Sequence, residues 1–342
     1  MHLYDLWFIA IAVLWIGYFF LEGFDFGVGV LTRFLARDER ERRVMINTIG
    51  PVWDGNEVWF ITAGGATFAA FPEWYATLFS GFYIPLLIIL VALIFRAIAF
   101  DYRGKGHTDR WRANWDRAIF WGSLVPAFLW GVAFANIVRG VKLNENHDYV
   151  GSFWDLLNPY ALLGGVVTLV LFTFHGAVFT ALKTDGEIRA RANRFSIGIG
   201  VAALVLAGVF LLWTLLHRSD GWTVVAAVLA AVFLAAAILV SLRVREGWAF
   251  LLSGLAIVFA VATLFLSLYP YVMPSTIAEA SNSLTVQNAS STAKTLGIMT
   301  WVAGIFLPIV LIYQGWTYWV FRKRIHVDQI PAAEPATHPA TS

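Results

Sequence analysis

The 342-residue chain contains no cysteine, which excludes disulfides, thiolate metal sites and iron–sulfur clusters held by this chain. Charge is also scarce: Asp, Glu, Lys and Arg make up 13% of the sequence, against 59% hydrophobic residues. A soluble domain carries about twice that share of charge, so little polar surface is left to face water and the composition points to lipid. The net charge of +2 provides no global field to attract nucleic acid. The N-terminal stretch lacks the positive region of a secretory signal, and its apolar run is longer than a signal core. It reads as a retained first helix.

What is present is a succession of apolar runs. A helix needs about 20 apolar residues to cross the hydrocarbon core. Nine segments meet or approach that length: 7–31, 51–71, 76–100, 118–138, 159–182, 197–217, 222–242, 248–268 and 296–321. The second is the least apolar, holding Asp54, Asn56 and Glu57, with Pro51 as a kink at its start. Of the 24 Lys and Arg residues, 19 fall in alternate loops on one side of these segments and 4 on the other, with Arg96 inside a span. Positive loops stay cytoplasmic. The expected fold is therefore an all-α integral membrane protein with about nine transmembrane helices, the N-terminus outside and the C-terminus cytoplasmic. The polytopic domain covers 1–324, and the Ala-, Pro- and Thr-rich tail over 325–342 reads as disordered. The echo of NTIG (47–50) in FSIG (195–198), each following a basic loop, suggests two four-helix repeats plus one helix.

Ionisable side chains at membrane depth cost ~2.5–3.5 kcal/mol each, and here they concentrate in the first three segments. Glu22 and Asp25 lie three apart, as do Asp54 and Glu57, which puts each pair on one helix face. Arg96 lies near the end of the third segment, with Asp101 just beyond it. The alternating direction of the spans places Asp25, Asp54 and Arg96 in the cytoplasmic half of the membrane. One reading is a proton route opening to the cytoplasm, because partly dry carboxylates exchange protons near neutral pH. The plainer reading is an interhelical ion-pair cluster around Arg96, although several carboxylates to one guanidinium leave excess acid. Gly23 and Gly27 form a GxxxG spacing suited to close helix packing.

Haem iron needs axial His or Met. Of seven histidines, His175 alone lies well inside a span, and no His or Met shares its depth. It reads as a hydrogen-bonding helix residue, and any haem would be ligated by another chain. Most of the 16 tryptophans suit the membrane interfaces. Trp53 and Trp59 differ, since they flank the polar residues of the second segment and suit a partner, a cofactor or simple packing.

The runs LEGFDFGVGVLTRFL (21–35), ERRVMINTIGPVWDGNEVWFITAGGATFAAFPEWYA (41–76), FSGFYIPL (79–86) and FRAIAFDYR (95–103) closely resemble subunit II of cytochrome bd quinol oxidase. LLNPYALLGGVV (156–167), YPYVMPS (269–275) and MTWVAGIFLPIVLIY (299–313) extend the likeness over nearly the whole chain. The resemblance implies a haem-free subunit that pairs with a larger subunit I carrying two haems b and one haem d. The pair would oxidise quinol in the bacterial plasma membrane and reduce dioxygen to water. Substrate protons would come from the cytoplasm and quinol protons would leave outside, without pumping. It also implies a proton path through Asp25 and Asp54 and an oxygen route at Trp59; the reading of the residues adds Glu57, Arg96 and Asp101 to the proton path and Trp53 to the oxygen route or partner contact. Small single-helix subunits and a quinone bound to this subunit are further components that the resemblance leaves open, alongside membrane lipid. His175 departs from a related sequence that has Gln there, and the loop between the sixth and seventh spans is short. A stand-alone secondary transporter or proton channel, and a purely structural assembly subunit, remain the competing readings at the level of sequence.

Overall fold

A computed structural model describes residues 2–106 and 108–330. The chain runs through α1 (Leu3–Leu35), α2 (Glu39–Ile49), α3 (Trp53–Ala70), α4 (Pro72–Gly81), α5 (Tyr83–Tyr102), α6 (Asp109–Arg139), α7 (Pro159–Lys183), α8 (Gly186–His217), α9 (Gly221–Ser241), α10 (Glu246–Leu268), β1 (Tyr271–Met273), α11 (Glu279–Asn282), β2 (Leu284–Thr285) and α12 (Ala293–Val320). It is an all-α membrane protein, and among the described residues the one sheet is the short antiparallel pair of β1 and β2.

Among the described residues, eight helices are long and apolar enough to span a bilayer: α1, α5, α6, α7, α8, α9, α10 and α12. The second of the nine expected spans, α3, differs. Its 18 residues reach about 27 Å at 1.5 Å per residue, and its polar first turn lowers its apolarity. Pro51 lies in the turn before α3 rather than inside a kinked helix. The expected third span divides into α4 and α5 at Phe82, and the basic stretch 32–50, expected as a loop, contains the amphipathic α2.

Local chemistry sets many of the helix starts. Asp38, Thr108, Asn158, Asp220 and Thr292 each accept a hydrogen bond from a first-turn backbone N–H, which satisfies a donor the helix cannot. Pro72 and Pro159 occupy first helical positions, where the missing N–H costs nothing.

Helices α1, α6 and α7 form the centre of the body. α3 and α5 pack on one side, α8, α9 and α10 on the other. Small residues bring the central helices together. A Cβ at Gly27 would sit 2.0 Å from the Phe172 carbonyl oxygen and 2.8 Å from Gly176 Cα, so α1 and α7 touch backbone to backbone. Gly29 meets Ser123 of α6, and Gly131 meets Gly164 and Thr168 of α7. Lipid tails are as apolar as the helices, so it is this close approach and not water exclusion that holds the spans together. α12 stands apart, touching α1 and α3, and Leu296 is its one buried residue.

At the end away from the basic loops, 140–158 and 270–292 fold over the helices. Val141 N–H donates to Pro274 O (3.0 Å), Thr276 N–H to Val141 O (2.9 Å), and Asn282 Nδ2 to Leu143 O (3.1 Å). At the basic end, the first residues of the expected tail are packed. Ile325 N–H donates to Lys183 O (2.9 Å), Arg324 to Thr184 O (2.6 Å), and Ile330 is buried beside α2 with its carbonyl accepting from Arg40 (2.7 Å). The rest of that tail, 331–342, lies outside the described residues.

Candidate functional site

The polar residues of α1, α3 and α5 meet in one cluster. Arg96 is fully buried, and its Nη1 donates to Glu22 on α1 in a very short contact and to Glu57 Oε1 on α3 at 3.0 Å. Its guanidinium carbon lies 4.8 Å from the Phe26 ring centre and 5.4 Å from that of Phe100, within range of a cation–π attraction. Asp25, also fully buried, accepts from Asn56 Nδ2 at 2.7 Å through Oδ2. Its Oδ1 and Glu22 Oε2 are buried without a hydrogen-bond partner, as are Arg96 Nε and Nη2. Three carboxylates thus share one guanidinium in a low-dielectric setting. An uncompensated buried charge is costly, so this is a place where a proton has a reason to reside.

The sequence-predicted residues divide accordingly. Asp25, Glu57 and Arg96 are brought together, joined by Glu22. Asp54 lies one turn before Glu57, in the first turn of α3, and is exposed. A carboxylate there is favoured by the helix N-terminal dipole. Asp101 is exposed in the last turn of α5 and stands outside the cluster. The neighbouring Arg103 is held instead by Glu39 (2.7 and 2.9 Å) and Asp116 (2.5 Å), which ties α5 to α2 and α6. Trp53 is half-buried with its ring 5.0 Å from Phe100, the same ring that lies near Arg96. Trp59 is half-buried against Gly17 of α1 and donates from Nε1 to Gln314 Oε1 at 2.8 Å.

Two participants come from α12 and escape sequence reasoning. Gln314 Nε2 and Tyr318 OH donate to Asn56 Oδ1 at 3.3 and 2.8 Å. The available signal is faint: Gln314 is the one amide in an apolar helix, and Tyr318 follows at i+4 on the same face. Nothing in the sequence joins them to Asn56, some 260 residues earlier.

His175 does not fit an axial haem position. Nδ1 is 2.7 Å from Ser253 Oγ, Nε2 is 3.3 Å from the Phe20 carbonyl oxygen, and the ring stacks on Phe250 at 4.6 Å. Both nitrogens are engaged between α1 and α10. No group of three or more His, Cys, Asp or Glu side chains suited to a metal ion occurs among the described residues.

The profile of the family "Cytochrome bd terminal oxidase subunit II" matches residues 3–321. The chain is 45% identical over 329 residues to cytochrome bd ubiquinol oxidase subunit 2 of Bacillus subtilis, covering 94% of this chain and 97% of that protein. It is 38% identical over 363 residues to cytochrome bd-I ubiquinol oxidase subunit 2 of Escherichia coli K12, covering 95% and 96%. Among solved structures, a chain of the bd oxidase from Geobacillus thermodenitrificans shares the fold with a TM-score of 0.74 at 20% identity, over 94% of this chain and 100% of that one. With a profile match across nearly all its spans and relatives at this identity over nearly their full lengths, the chain belongs to the family of cytochrome bd terminal oxidase subunit II.

Proposed function

We propose that the chain acts as the haem-free second subunit of a quinol:oxygen oxidoreductase in a bacterial plasma membrane, with its N-terminus outside and its C-terminus cytoplasmic. Its partner is the subunit I that bears the haems, two b and one d, where electrons from quinol reduce dioxygen. This chain's own contribution is a proton-uptake route from the cytoplasm. The enzyme is electrogenic without pumping, because quinol releases its protons on the outer side.

The observation that carries this reading is the excess of buried acid around Arg96. Asp54 and Asp101, both exposed towards the basic end, stand at the aqueous mouth. Glu57, whose carboxylate interacts with that of Asp54, connects the mouth to Arg96. Arg96 keeps Glu57 and Glu22 in place, and the unpartnered Glu22 Oε2 and Asp25 Oδ1 are positions where an incoming proton can be held.

The partner face follows from exposure. A carboxylate at Asp54 facing lipid would be costly, and the helices around it are the least covered. α12 has 6% of its spanning window buried and α5 28%, against 67% for α6 and α7. Subunit I covers α3, α5 and α12. The groove between α1, α10 and α12 supports an oxygen route: about 460 Å³, lined by Trp59, Val13, Ile16, Phe20 and Leu311, it is apolar, as a route for dioxygen must be.

The test is Asp54→Asn in the purified two-subunit complex. Quinol oxidase activity is expected to fall at least tenfold, about 1.4 kcal/mol in barrier, with the reduced-minus-oxidised spectrum unchanged. Loss of haem along with activity would make Asp54 structural, and full activity would remove it from the route.

A further inference from the structure

Asn56 is buried in α3, with its amide between α1 and α12. Which end of such an amide faces which neighbour must be worked out from the donors and acceptors around it. Here the surroundings leave one solution. An indole N–H can only donate, so the atom of Gln314 that meets Trp59 Nε1 at 2.8 Å is its oxygen. Gln314 therefore turns its NH2 towards Asn56, which must offer oxygen there. Tyr318 OH reaches that same oxygen at 2.8 Å. The Asn56 NH2 is left pointing at Asp25, where it donates to Oδ2 at 2.7 Å.

We propose that Trp59, Gln314, Tyr318 and Asn56 form a one-way hydrogen-bond relay that positions Asp25, presenting a donor to its Oδ2 and leaving Oδ1 as the atom that takes up a proton. This deepens the proton-route reading and rests on it for its functional consequence. The residues act through Asn56 and are positioning residues. The relay starts on α3, crosses to α12 and returns through α3 to α1, so the helix least buried in the chain fixes the orientation of a carboxylate in its centre. Because α12 lies on the face given to the partner, docking of subunit I bears directly on this geometry.

The charged and titratable groups acting on Asp25 are Glu22 on its own helix, Glu57 on α3, Arg96 on α5 and Tyr318 on α12. The hydrogen bond to Asp25 Oδ2 comes from Asn56. Arg96 donates through Nη1 to Glu22 and Glu57 and makes no hydrogen bond to Asp25. The Tyr318 hydroxyl hydrogen points to Asn56. His175 of α7 is bonded elsewhere.

The experiment uses the complete two-subunit oxidase carrying Gln314→Leu with Tyr318→Phe, which frees the Asn56 amide to turn over. Two readouts are followed: the pH profile of quinol oxidase activity, and the infrared carboxyl band that Asp25→Asn abolishes. With haem content retained, the activity midpoint is expected to move by about one pH unit or more, and the Asp25 band to shift. If the double variant fails to assemble, Trp59→Phe removes only the N–H that orients Gln314, and Gln314→Glu replaces the donor to Asn56 with an acceptor. Each is expected to move the same readouts. An unchanged band and unchanged midpoint in an assembled variant overturn the relay. If Asp25→Asn itself leaves activity and its pH profile intact while the band still shifts in the relay variants, the relay stands and the proton-route reading falls.

Discussion

At the residue scale, two buried positions decide whether the centre forms. Gly27 has no room for a side chain, since its first added carbon would overlap the Phe172 carbonyl oxygen. Overpacking a core costs about 1–3 kcal/mol when neighbours can yield, and here the neighbour is the backbone of α7. Gly27→Leu is expected to abolish the monodisperse peak in detergent chromatography, whereas Gly198→Leu, with open space around its Cβ, should leave it. Arg96→Leu strands Glu22 and Glu57, and breaking a buried pair from one side costs about 3–5 kcal/mol. A large fall in thermal stability of the complex is the expected measurement. Glu22→Gln in the Arg96→Leu background should recover part of it, because a neutral amide is cheaper to bury than an unpaired carboxylate. The sequence made Arg96 and its carboxylates visible because charge in an apolar run is rare. It did not reveal that Glu22 pairs with Arg96 more closely than Glu57 does, since helix rotation is set by packing that spacing alone does not encode. Gln314 and Tyr318 were invisible for a related reason: neither is charged, and an amide or phenol in a span carries little weight until its partner is known.

At the scale of elements, what was legible depended on how strongly periodicity and hydropathy agreed. The long uniform spans emerge from apolar length alone, and their ends follow capping residues. The signal is weakest where periodicity and hydropathy conflict. α3 carries Asp54, Asn56 and Glu57 near its start, and these polar residues lower the hydropathy by which a span is recognised. α2 hides in a basic stretch because its apolar positions are buried, Val44 and Met45 in a cluster with Ala177 and Ala181 of α7 and Ile49 in one with Phe24, Val28 and Phe179, while its charges pair with other helices. The cap at the end away from the basic loops is built from hydrogen bonds between distant loops, which have no local signature. One of its elements makes a testable statement about pH. Asp155 caps the short turn Phe153–Leu156, accepting from Ser152 N–H at 2.7 Å and from Lys142 at 2.9 Å, and these bonds hold its carboxyl down at about 2. A depressed carboxylate contributes stability that is fully present above its unfolded value of about 3.9 and lost as pH falls through its folded value. The protection of the amides at 152–157, taken relative to their intrinsic exchange rate at each pH, should therefore be unchanged from pH 7 to 5 and fall below pH 4. Asp155→Asn should remove that dependence.

At the scale of the whole molecule, orientation and assembly are linked, because the basic end must face the cytoplasm if the acid cluster is to draw protons from it. The natural absence of cysteine makes single-cysteine labelling direct. Arg37→Cys, between α1 and α2, should react with a membrane-impermeant thiol reagent only in inverted vesicles, and Val150→Cys, in the cap at the opposite end, only in intact cells. The opposite pattern would place the cluster on the wrong side for uptake. Assembly can be tested on the same scale. Ile312 on α12 and Val228 on α9 are both exposed in the isolated chain, at 74% and 54%, so neither substitution disturbs its internal packing. If α12 lies against subunit I, Ile312→Trp meets a packed protein surface and Val228→Trp meets lipid. Ile312→Trp is then expected to reduce co-purified haem severalfold while the chain remains in the membrane, and Val228→Trp to leave it unchanged. Equal loss in both would mean that the two faces are equally covered, and the difference in burial between α12 and the central helices would need another explanation.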